Sequence, residues 1–241
     1  MIPINLAAIH VGHNRMNAQA LSFIQNIQQE IPVRVLELTK CFGNEEVLKQ
    51  VSVEFAKKKI HGIIGKNGSG KTVLFKCICG FLRPNEGNIF VWGNEIGKDC
   101  DFPKETGMLI EQPGFLPYES ARNNLRWLAK LNKTMSKSRV DEVIRLVGLE
   151  PGDKKHIIKY SLGMLQRLGI AQALLDDPKL LILDEPMNGL DKQGVKDMRN
   201  LFLNLREQGK TLLLASHFAQ DIDMLCDTVY EMDQGILTRR R

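Results

Sequence analysis

The fold is decided by Gly65-Lys66-Asn67-Gly68-Ser69-Gly70-Lys71-Thr72, a stretch that matches the phosphate-binding pattern G-x-x-x-x-G-K-[ST]. Its glycines allow a tight loop whose backbone N–H groups point at phosphate oxygens, and the helix that follows turns its positive dipole end towards the same anion. Lys71 is expected to reach the β- and γ-phosphates, and the Thr72 hydroxyl to ligate Mg²⁺. We therefore predict that this loop, with Val73 directly after it, binds Mg-ATP.

Short apolar strands and helices surround the loop. Val33–Leu38 and Val51–Phe55 are rich in β-branched residues and predict an antiparallel hairpin with a turn around Gly43. Ile60–Ile64 predicts a strand that runs into the loop, and Lys71–Cys79 predicts the helix that leaves it.

The rest of the chain alternates helices with buried strands. The predicted helices are Ser120–Leu131, Ser136–Val147, Ser161–Leu175 and one that begins near Asp191, and the predicted strands are Asn88–Val91, Leu180–Leu183, Thr211–Ala215, Thr228–Met232 and Ile236–Thr238. This alternation indicates an α/β fold with a mainly parallel sheet covered on both faces. In such sheets, ligands bind at the carboxyl ends of the strands.

Two carboxylates follow one of these strands. Leu180–Leu183 is an apolar run that ends at Asp184 and Glu185. Asp184 is placed to hold Mg²⁺, directly or through water, and Glu185 suits a general base that orients or deprotonates an attacking water. Strands often end in acidic residues, so this pair alone is weak evidence of a nucleotide site. Together with the phosphate loop it becomes strong evidence.

Further motifs resemble those of ATP-binding-cassette (ABC) ATPases. The run Tyr160-Ser161-Leu162-Gly163-Met164-Leu165-Gln166-Arg167 resembles the signature segment of that family. Met187–Asp191 looks like its D-loop, His217 resembles its switch histidine, and Phe42 occupies the place of the aromatic residue that stacks on adenine. The resemblance extends from Val33 to Leu237. It implies a P-loop NTPase (RecA-like) core sheet with the antiparallel β subdomain and the helical subdomain (about residues 113–175) of ABC ATPases.

The resemblance also implies a mechanism. ABC ATPases bind ATP between two copies arranged head to tail, so Ser161 and Gly163 would contact the γ-phosphate bound to the other copy. His217 would contact the same phosphate in cis and, with Lys71 and Glu185, form the catalytic set. Asp191 would couple the two sites across the interface.

Two departures from the family pattern stand out. The signature has Leu162 in place of the first glycine and Met164 in place of glutamine. Glu111 occupies the Q-loop glutamine position, where it is expected to contact nucleotide and metal; a glutamate there resembles bacitracin and lantibiotic immunity exporters. Phe115, Pro117 and the Ser120–Leu131 region would meet a membrane subunit.

Composition narrows the possible partners. The 241 residues carry a net charge of +5, from 33 basic and 28 acidic side chains, without a long basic stripe, so we expect no nucleic-acid partner. Five unevenly spaced cysteines indicate free thiols in a reducing compartment. No apolar run approaches the roughly 20 residues needed to span a bilayer. We therefore expect a cytoplasmic protein, peripheral on the inner face of the membrane, with a separate transmembrane permease subunit.

Residues 1–31 differ from the rest, and residues 32–241 are predicted to form the ATP-binding domain. The spacing of Leu21, Ile24, Ile27 and Ile31 fits a weak amphipathic helix, but a poorly ordered extension fits equally well. We assign this segment no function.

The motifs allow three classes of function. The first is a transporter ATPase that works with a second ATP-binding subunit, identical or related, and powers export of a drug or antimicrobial peptide. The second is an ABC-type ATPase in repair, translation or cofactor assembly, but the segment between Thr72 and Ser161 is too short for the coiled coil of repair ATPases. The third, a P-loop kinase or GTPase, gives no reason for the signature segment. The transporter ATPase is the favoured hypothesis.

Overall fold

The structure is a computed structural model that describes residues 31–111, 113–131, 137–217 and 219–241. The strands are β1 (Val33–Phe42), β2 (Glu45–Phe55), β3 (Ile60–Ile64), β4 (Glu86–Val91), β5 (Asn94–Glu95), β6 (Thr106–Leu109), β7 (Leu180–Asp184), β8 (Thr211–Ser216), β9 (Thr228–Asp233) and β10 (Ile236–Arg239). The helices are α1 (Lys71–Ile78), α2 (Ala121–Ala129), α3 (Lys137–Leu146), α4 (Leu162–Ala173), α5 (Lys192–Glu207) and α6 (Ala219–Leu225). Apart from Ile31, the predicted N-terminal extension lies outside the described residues.

A six-stranded sheet forms the centre of the domain, in the order β10-β9-β3-β8-β7-β6. Its neighbours pair in parallel except for the antiparallel β9–β10 hairpin. Every residue of β3, β7 and β8 is buried. The predicted α/β fold with a mainly parallel sheet is confirmed. Because β3 and β7 lie on either side of β8, the phosphate loop after β3 and the carboxylates after β7 meet at one edge.

A four-stranded antiparallel sheet, in the order β2-β1-β4-β5, packs beside the central sheet. It contains the predicted hairpin, in which Val33 pairs with Phe55 and Phe42 with Glu45. The α1 side chains Leu74, Phe75 and Ile78 share one core with this sheet and with one face of the central sheet. Helix α1 is therefore held from two sides.

The helices after α1 cover the other face of the central sheet. Leu125 of α2, Ile144 of α3, Leu168 of α4 and Phe202 of α5 are fully buried in one core with Leu214 of β8. Among the described helices, none is both long enough and apolar enough to cross a bilayer.

Several of the cysteines belong to these cores. Cys77, Cys79 and Cys226 are buried free thiols. Burial raises the pKa of Cys79 and of Cys226 to about 12, so both stay protonated at neutral pH and pack as small apolar groups.

Some elements differ from the sequence predictions. Helix α4 ends at Ala173, before the predicted Leu175, with Leu174 as its C-cap. Strand β6 and helix α6 were not predicted. Gly107 in β6 looks unsuited to a strand, but a Cβ there would collide with the carbonyl oxygen of Ala173, so glycine is needed where α4 approaches the sheet.

Candidate active site

The phosphate loop joins β3 to α1, and its glycines are required by its geometry. Gly68 and Gly70 have φ values of 79° and 111°, in the left-handed region that favours glycine. A Cβ on Gly65 would collide with the carbonyl oxygen of Met232. Helix α1 has Gly70 as its N-cap, with no side-chain capping bond and no acidic residue in the first turn. Its first N–H groups are therefore available to an anion.

Lys71 places its ammonium group inside this loop. The side chain is only 5% exposed, and Nζ donates to the carbonyl oxygens of Gly65 at 2.7 Å and Lys66 at 3.1 Å. The hydroxyl oxygen of Ser69 is buried without a hydrogen-bond partner. A buried cation and an unpartnered hydroxyl next to free helix N–H groups suit a phosphate group.

Thr72 and Asp184 meet across the ends of α1 and β7. The Thr72 hydroxyl donates to Asp184 Oδ2 at 2.5 Å, and Asp184 Oδ1 is buried without a partner. Burial raises the pKa of Asp184, the Thr72 hydrogen bond opposes this, and the nearby Glu185 charge adds to it. A hydroxyl and an orphaned carboxylate oxygen are the hard oxygen ligands that Mg²⁺ prefers, so this pair fits the metal.

Glu185 follows Asp184 with a φ of 50°, which is uncommon for a residue other than glycine. Its carboxylate Oε2 lies 2.9 Å from His217 Nδ1, and Oε1 lies 3.9 Å from Lys71 Nζ. Oε1 is also buried without a hydrogen-bond partner. The structure thus brings together Lys71, Glu185 and His217, the predicted catalytic set, although the sequence separates them widely.

The Glu185 main chain is held by contacts that sequence reasoning missed. Its N–H donates to the Ala215 carbonyl oxygen of β8 at 2.9 Å. Its carbonyl oxygen accepts a hydrogen bond from Gln166 Nε2 of α4, also at 2.9 Å. The only sequence signal for this contact is that Gln166 belongs to the segment that resembles the ABC signature.

The signature segment and the D-loop pack against each other within this chain. The Ser161 hydroxyl caps α4 by accepting a hydrogen bond from Met164 N at 3.2 Å, and Asp191 caps α5 by accepting from Gly194 N at 2.7 Å. A Cβ on Gly163 would lie 2.9 Å from the carbonyl oxygen of Gly189. The exposed N-terminal end of α4 is a second place where helix N–H groups face outwards.

The remaining predicted residues lie further out. Glu111 is 62% exposed, and its Oε1 forms an ion pair with Lys76 Nζ at 2.6 Å. Phe42 is exposed at the end of β1, where Lys40 Nζ lies 5.2 Å from the centre of its ring. Val73, directly after the loop, packs its partly buried side chain against the core beneath α1. Lys66 and Asn67 are exposed within the loop.

Comparison with known proteins identifies the family. The sequence profile of ABC transporters matches residues 48–188, which include the phosphate loop, the signature segment and Asp184. An uncharacterised ABC transporter ATP-binding protein of Bacillus subtilis is 41% identical over 205 residues, covering 85% of this chain and 94% of that protein. The bacitracin transport ATP-binding protein of Bacillus licheniformis is 39% identical, covering 85% of this chain but only 68% of its own length. A lantibiotic transport ATP-binding protein of Streptococcus pyogenes is 34% identical, covering 84% and 87%.

Solved structures agree with the fold. The protein cbiO1 from Clostridium perfringens, part of the ABC transporter complex cbiONQ, superimposes with a TM-score of 0.75 at 27% identity and covers 87% of each chain. A dimeric structure of the ATP-binding cassette MJ0796, in a post-hydrolysis state with ADP and Pi, superimposes with a TM-score of 0.76 and covers 87% of this chain and 99% of that one. At 22% sequence identity, this similarity shows the fold alone. The chain therefore belongs to the ABC transporter family, and its described domain is an ATP-binding ATPase of that family.

Proposed function

We propose that this chain is the ATP-hydrolysing subunit of an exporter whose membrane-spanning part is a separate permease chain, and that the cargo is a drug or an antimicrobial peptide. The observation that carries the hydrolytic role is the meeting of Lys71, Glu185 and His217 beside the phosphate loop. The cargo class follows from similarity to the bacitracin and lantibiotic transport ATP-binding proteins.

In this proposal the loop and α1 hold the ATP phosphates. The backbone N–H groups and the Lys71 ammonium bind the β- and γ-phosphates, and Phe42 offers its exposed ring to the adenine. Thr72 and Asp184 would hold Mg²⁺, which offsets negative charge on the phosphate oxygens when it is bound. Glu111, paired with Lys76 beside this site, remains a predicted contact to nucleotide and metal.

Glu185 and His217 act on the attacking water. The carboxylate of Glu185 accepts a hydrogen bond from that water and orients its lone pair towards the γ-phosphorus. It takes up the proton of the water as the new bond to phosphorus forms and the bond from phosphorus to the ADP oxygen breaks, which releases ADP and phosphate. The imidazole of His217, 2.9 Å from this carboxylate, orients it and contacts the γ-phosphate. The buried Oε1 without a hydrogen-bond partner is the oxygen available to the water.

A second ATP-binding subunit completes the site. Ser161, Gly163 and the exposed N-terminal end of α4 would bind the γ-phosphate held by the other copy, with Asp191 at the interface. Support comes from the dimeric cassette of the same fold, although its identity to this chain is low. An isolated monomer should therefore bind ATP but hydrolyse it slowly.

An exposed apolar surface beside α2 suits contact with the permease. Its large side chains are Leu116, Tyr118, Trp127 and Leu131, with exposures of 51%, 71%, 53% and 83%. These four large apolar side chains, exposed within residues 116–131, favour an interaction site on this segment. Binding there would place the protein at the inner face of the membrane, and Phe115 and Pro117 would belong to the same contact.

The variant Glu185→Gln tests the hydrolytic role. It keeps the shape of the side chain but cannot take up a proton, so we expect unchanged ATP affinity, at least about a hundredfold slower turnover and an ATP-dependent dimer by light scattering. The matched control is Glu207→Gln, an exposed residue at the end of α5. Turnover that survives Glu185→Gln would refute the assignment.

The transport role needs the membrane partner. The full-length protein should co-purify with a membrane protein, and bacitracin or a lantibiotic should stimulate the ATPase activity of that complex. If no membrane protein is recovered and ATPase activity is unaffected by such peptides, the non-transport ABC ATPase becomes the better hypothesis.

A further inference from the structure

The contact between Gln166 and Glu185 links the signature helix to the candidate general base. Gln166 lies on α4, whose N-cap is Ser161, and its Nε2 donates to the Glu185 carbonyl oxygen at 2.9 Å. Glu185 itself has a φ of 50°. A glutamate in this left-handed region is strained, and such strain persists only where the surroundings impose the conformation.

Within the part of the chain that the structure describes, three hydrogen bonds fix the main chain of Glu185. The Glu185 N–H donates to the Ala215 carbonyl oxygen at 2.9 Å, and the Glu185 carbonyl oxygen accepts from Asn188 N at 3.1 Å and from Gln166 Nε2. Of these donors and acceptors, Gln166 alone contributes through a side chain. The energetic cost of a left-handed residue and the net contribution of one hydrogen bond are of the same order, so losing the Gln166 donor should shift Glu185 measurably.

The direction of the Glu185 carboxylate depends on this main-chain conformation. In the left-handed conformation the carboxylate lies 2.9 Å from His217 Nδ1 and 3.9 Å from Lys71 Nζ. A Cβ vector reoriented by relaxation of the main chain would move the carboxylate away from both groups. Misplacing a reacting group by about 1 Å is enough to slow a reaction severely.

We propose that Gln166 is a positioning residue for ATP hydrolysis, holding the Glu185 main chain so that the carboxylate faces the attacking water. This rests on the proposed role of Glu185 as general base. Because Ser161 is the N-cap of α4, the same contact passes any shift of the signature helix to the catalytic carboxylate of its own chain. A ligand bound at the N-terminal end of α4 would thus act on a second, distinct nucleotide site.

Helix α4 is anchored independently of Gln166, so the residue can be changed without loosening the helix. Arg167 Nη1 donates to the Val147 carbonyl oxygen at 2.6 Å, and Arg167 Nη2 pairs with Asp197 at 3.1 Å. Leu168 and Ile170 are buried in the core of the helical face. A purely structural role for Gln166 would therefore be small.

The test compares variants in the full-length protein, at concentrations that allow two copies to pair. Gln166→Glu replaces the donor N–H₂ by an oxygen with almost no change in shape, and Gln166→Met removes all polarity. We expect kcat to fall about tenfold in each, or about 1.4 kcal/mol of barrier, with the KM for ATP, nucleotide affinity and melting temperature unchanged. Gln166→Lys keeps an N–H donor of similar reach and should retain more activity than Gln166→Met.

The matched control is Gln172→Met, on the same helix, which should leave kcat unchanged. Wild-type kcat in Gln166→Met and Gln166→Glu would overturn the inference. It would equally be overturned if kcat fell only in proportion to a lower melting temperature or a weaker KM, since that indicates a structural role. If Gln166→Met does not fold, Gln166→Glu decides by the same criteria.

Failure of this inference is distinct from failure of the proposed function. If Glu185→Gln abolishes turnover while the Gln166 variants are normal, only the positioning role is wrong. If Glu185→Gln retains turnover, the general-base assignment is wrong and the positioning role falls with it.

Discussion

Removing the buried charge of Asp184 should stabilise the Mg²⁺-free protein while removing a proposed ligand of Mg²⁺. Asp184 is 9% exposed, and its Oδ2 accepts a hydrogen bond from Thr72. Among the described residues, its buried Oδ1 has no hydrogen-bond partner. Burial raises the pKa of this carboxyl, which means that the fold disfavours the ionised form. Asp184→Asn keeps the shape and a carbonyl oxygen for Thr72, but carries no charge.

The expected gain in the free energy of unfolding of Asp184→Asn follows from these contacts. An unpartnered buried polar group costs about 1–3 kcal/mol, and more when it is charged. The amide N–H₂ of the variant stays without a partner but is neutral, so we expect a gain of about 1–2 kcal/mol rather than the full amount. For a chain of this size, 1 kcal/mol moves the melting temperature by about 2–4 °C. Asp184→Asn should therefore melt about 2–8 °C above the wild type.

Thermal melts in EDTA from pH 8 downwards provide the assay. The pKa of Asp184 is higher in the folded state than in the unfolded state. Above the folded-state pKa, the wild type therefore loses stability to the buried charge, and it regains this stability as the pH falls through the folded-state pKa. The difference in melting temperature between Asp184→Asn and the wild type should disappear over the same pH range. Adding Mg-ATP should make the wild type melt at the higher temperature, since only the wild type keeps both proposed Mg²⁺ ligands.

The control is Asp223→Asn, an exposed residue of α6, which should change stability by less than about 0.5 kcal/mol. If Asp184→Asn melts no higher than the wild type at pH 8 without Mg²⁺, the buried carboxylate is not a source of strain. A difference that stays constant with pH would show that packing, not ionisation, causes it.

Other parts of the site give separate predictions. Lys71→Met removes the buried ammonium group. Because a charged hydrogen-bond donor is lost, the affinity for ATP, measured by fluorescence titration, should fall about a hundredfold or more. Near-normal binding would refute the assignment of the phosphate loop. His217→Ala removes the imidazole that contacts the Glu185 carboxylate. Single-turnover ATP hydrolysis should therefore slow about a hundredfold while the affinity for ATP stays unchanged. An unaffected rate would contradict the proposal that His217 orients Glu185. Lys76→Met breaks an exposed ion pair with Glu111. The free energy of unfolding should change by less than about 1 kcal/mol, and basal ATPase activity should persist. A loss of several degrees in melting temperature would mean instead that the ion pair stabilises the fold.

The parts of the fold that depend on local pattern were predictable from sequence. The phosphate loop defines β3 and α1 at once, because it must join a strand to a helix. Ser120 and Ser161, the first residues of two predicted helices, are the N-caps of α2 and α4. Asp191, near which another helix was predicted to begin, is the N-cap of α5. Each of these signals lies within a few residues of the element it starts.

Features set by distant contacts were not predictable. The left-handed conformation of Glu185 has no signal in its residue type, since glycine and asparagine are the usual choices there. It is imposed by Ala215 of β8 and Gln166 of α4. The ion pair of Glu111 with Lys76 likewise joins residues whose proximity depends on how the loop after β6 packs on α1.

The structure also explains how the altered signature segment is accommodated. Gly189 of the D-loop has a φ of 72°, and a Cβ there would lie 2.5 Å from Leu162 Cγ, so the leucine side chain rests on the D-loop. The Ser161 cap and the close approach of Gly163 to the Gly189 carbonyl oxygen are both retained. The leucine that stands at the position of the first family glycine therefore packs part of its side chain against the D-loop. Because Gly189 leads to Asp191, we expect substitutions of Leu162 to change the conformation of this segment.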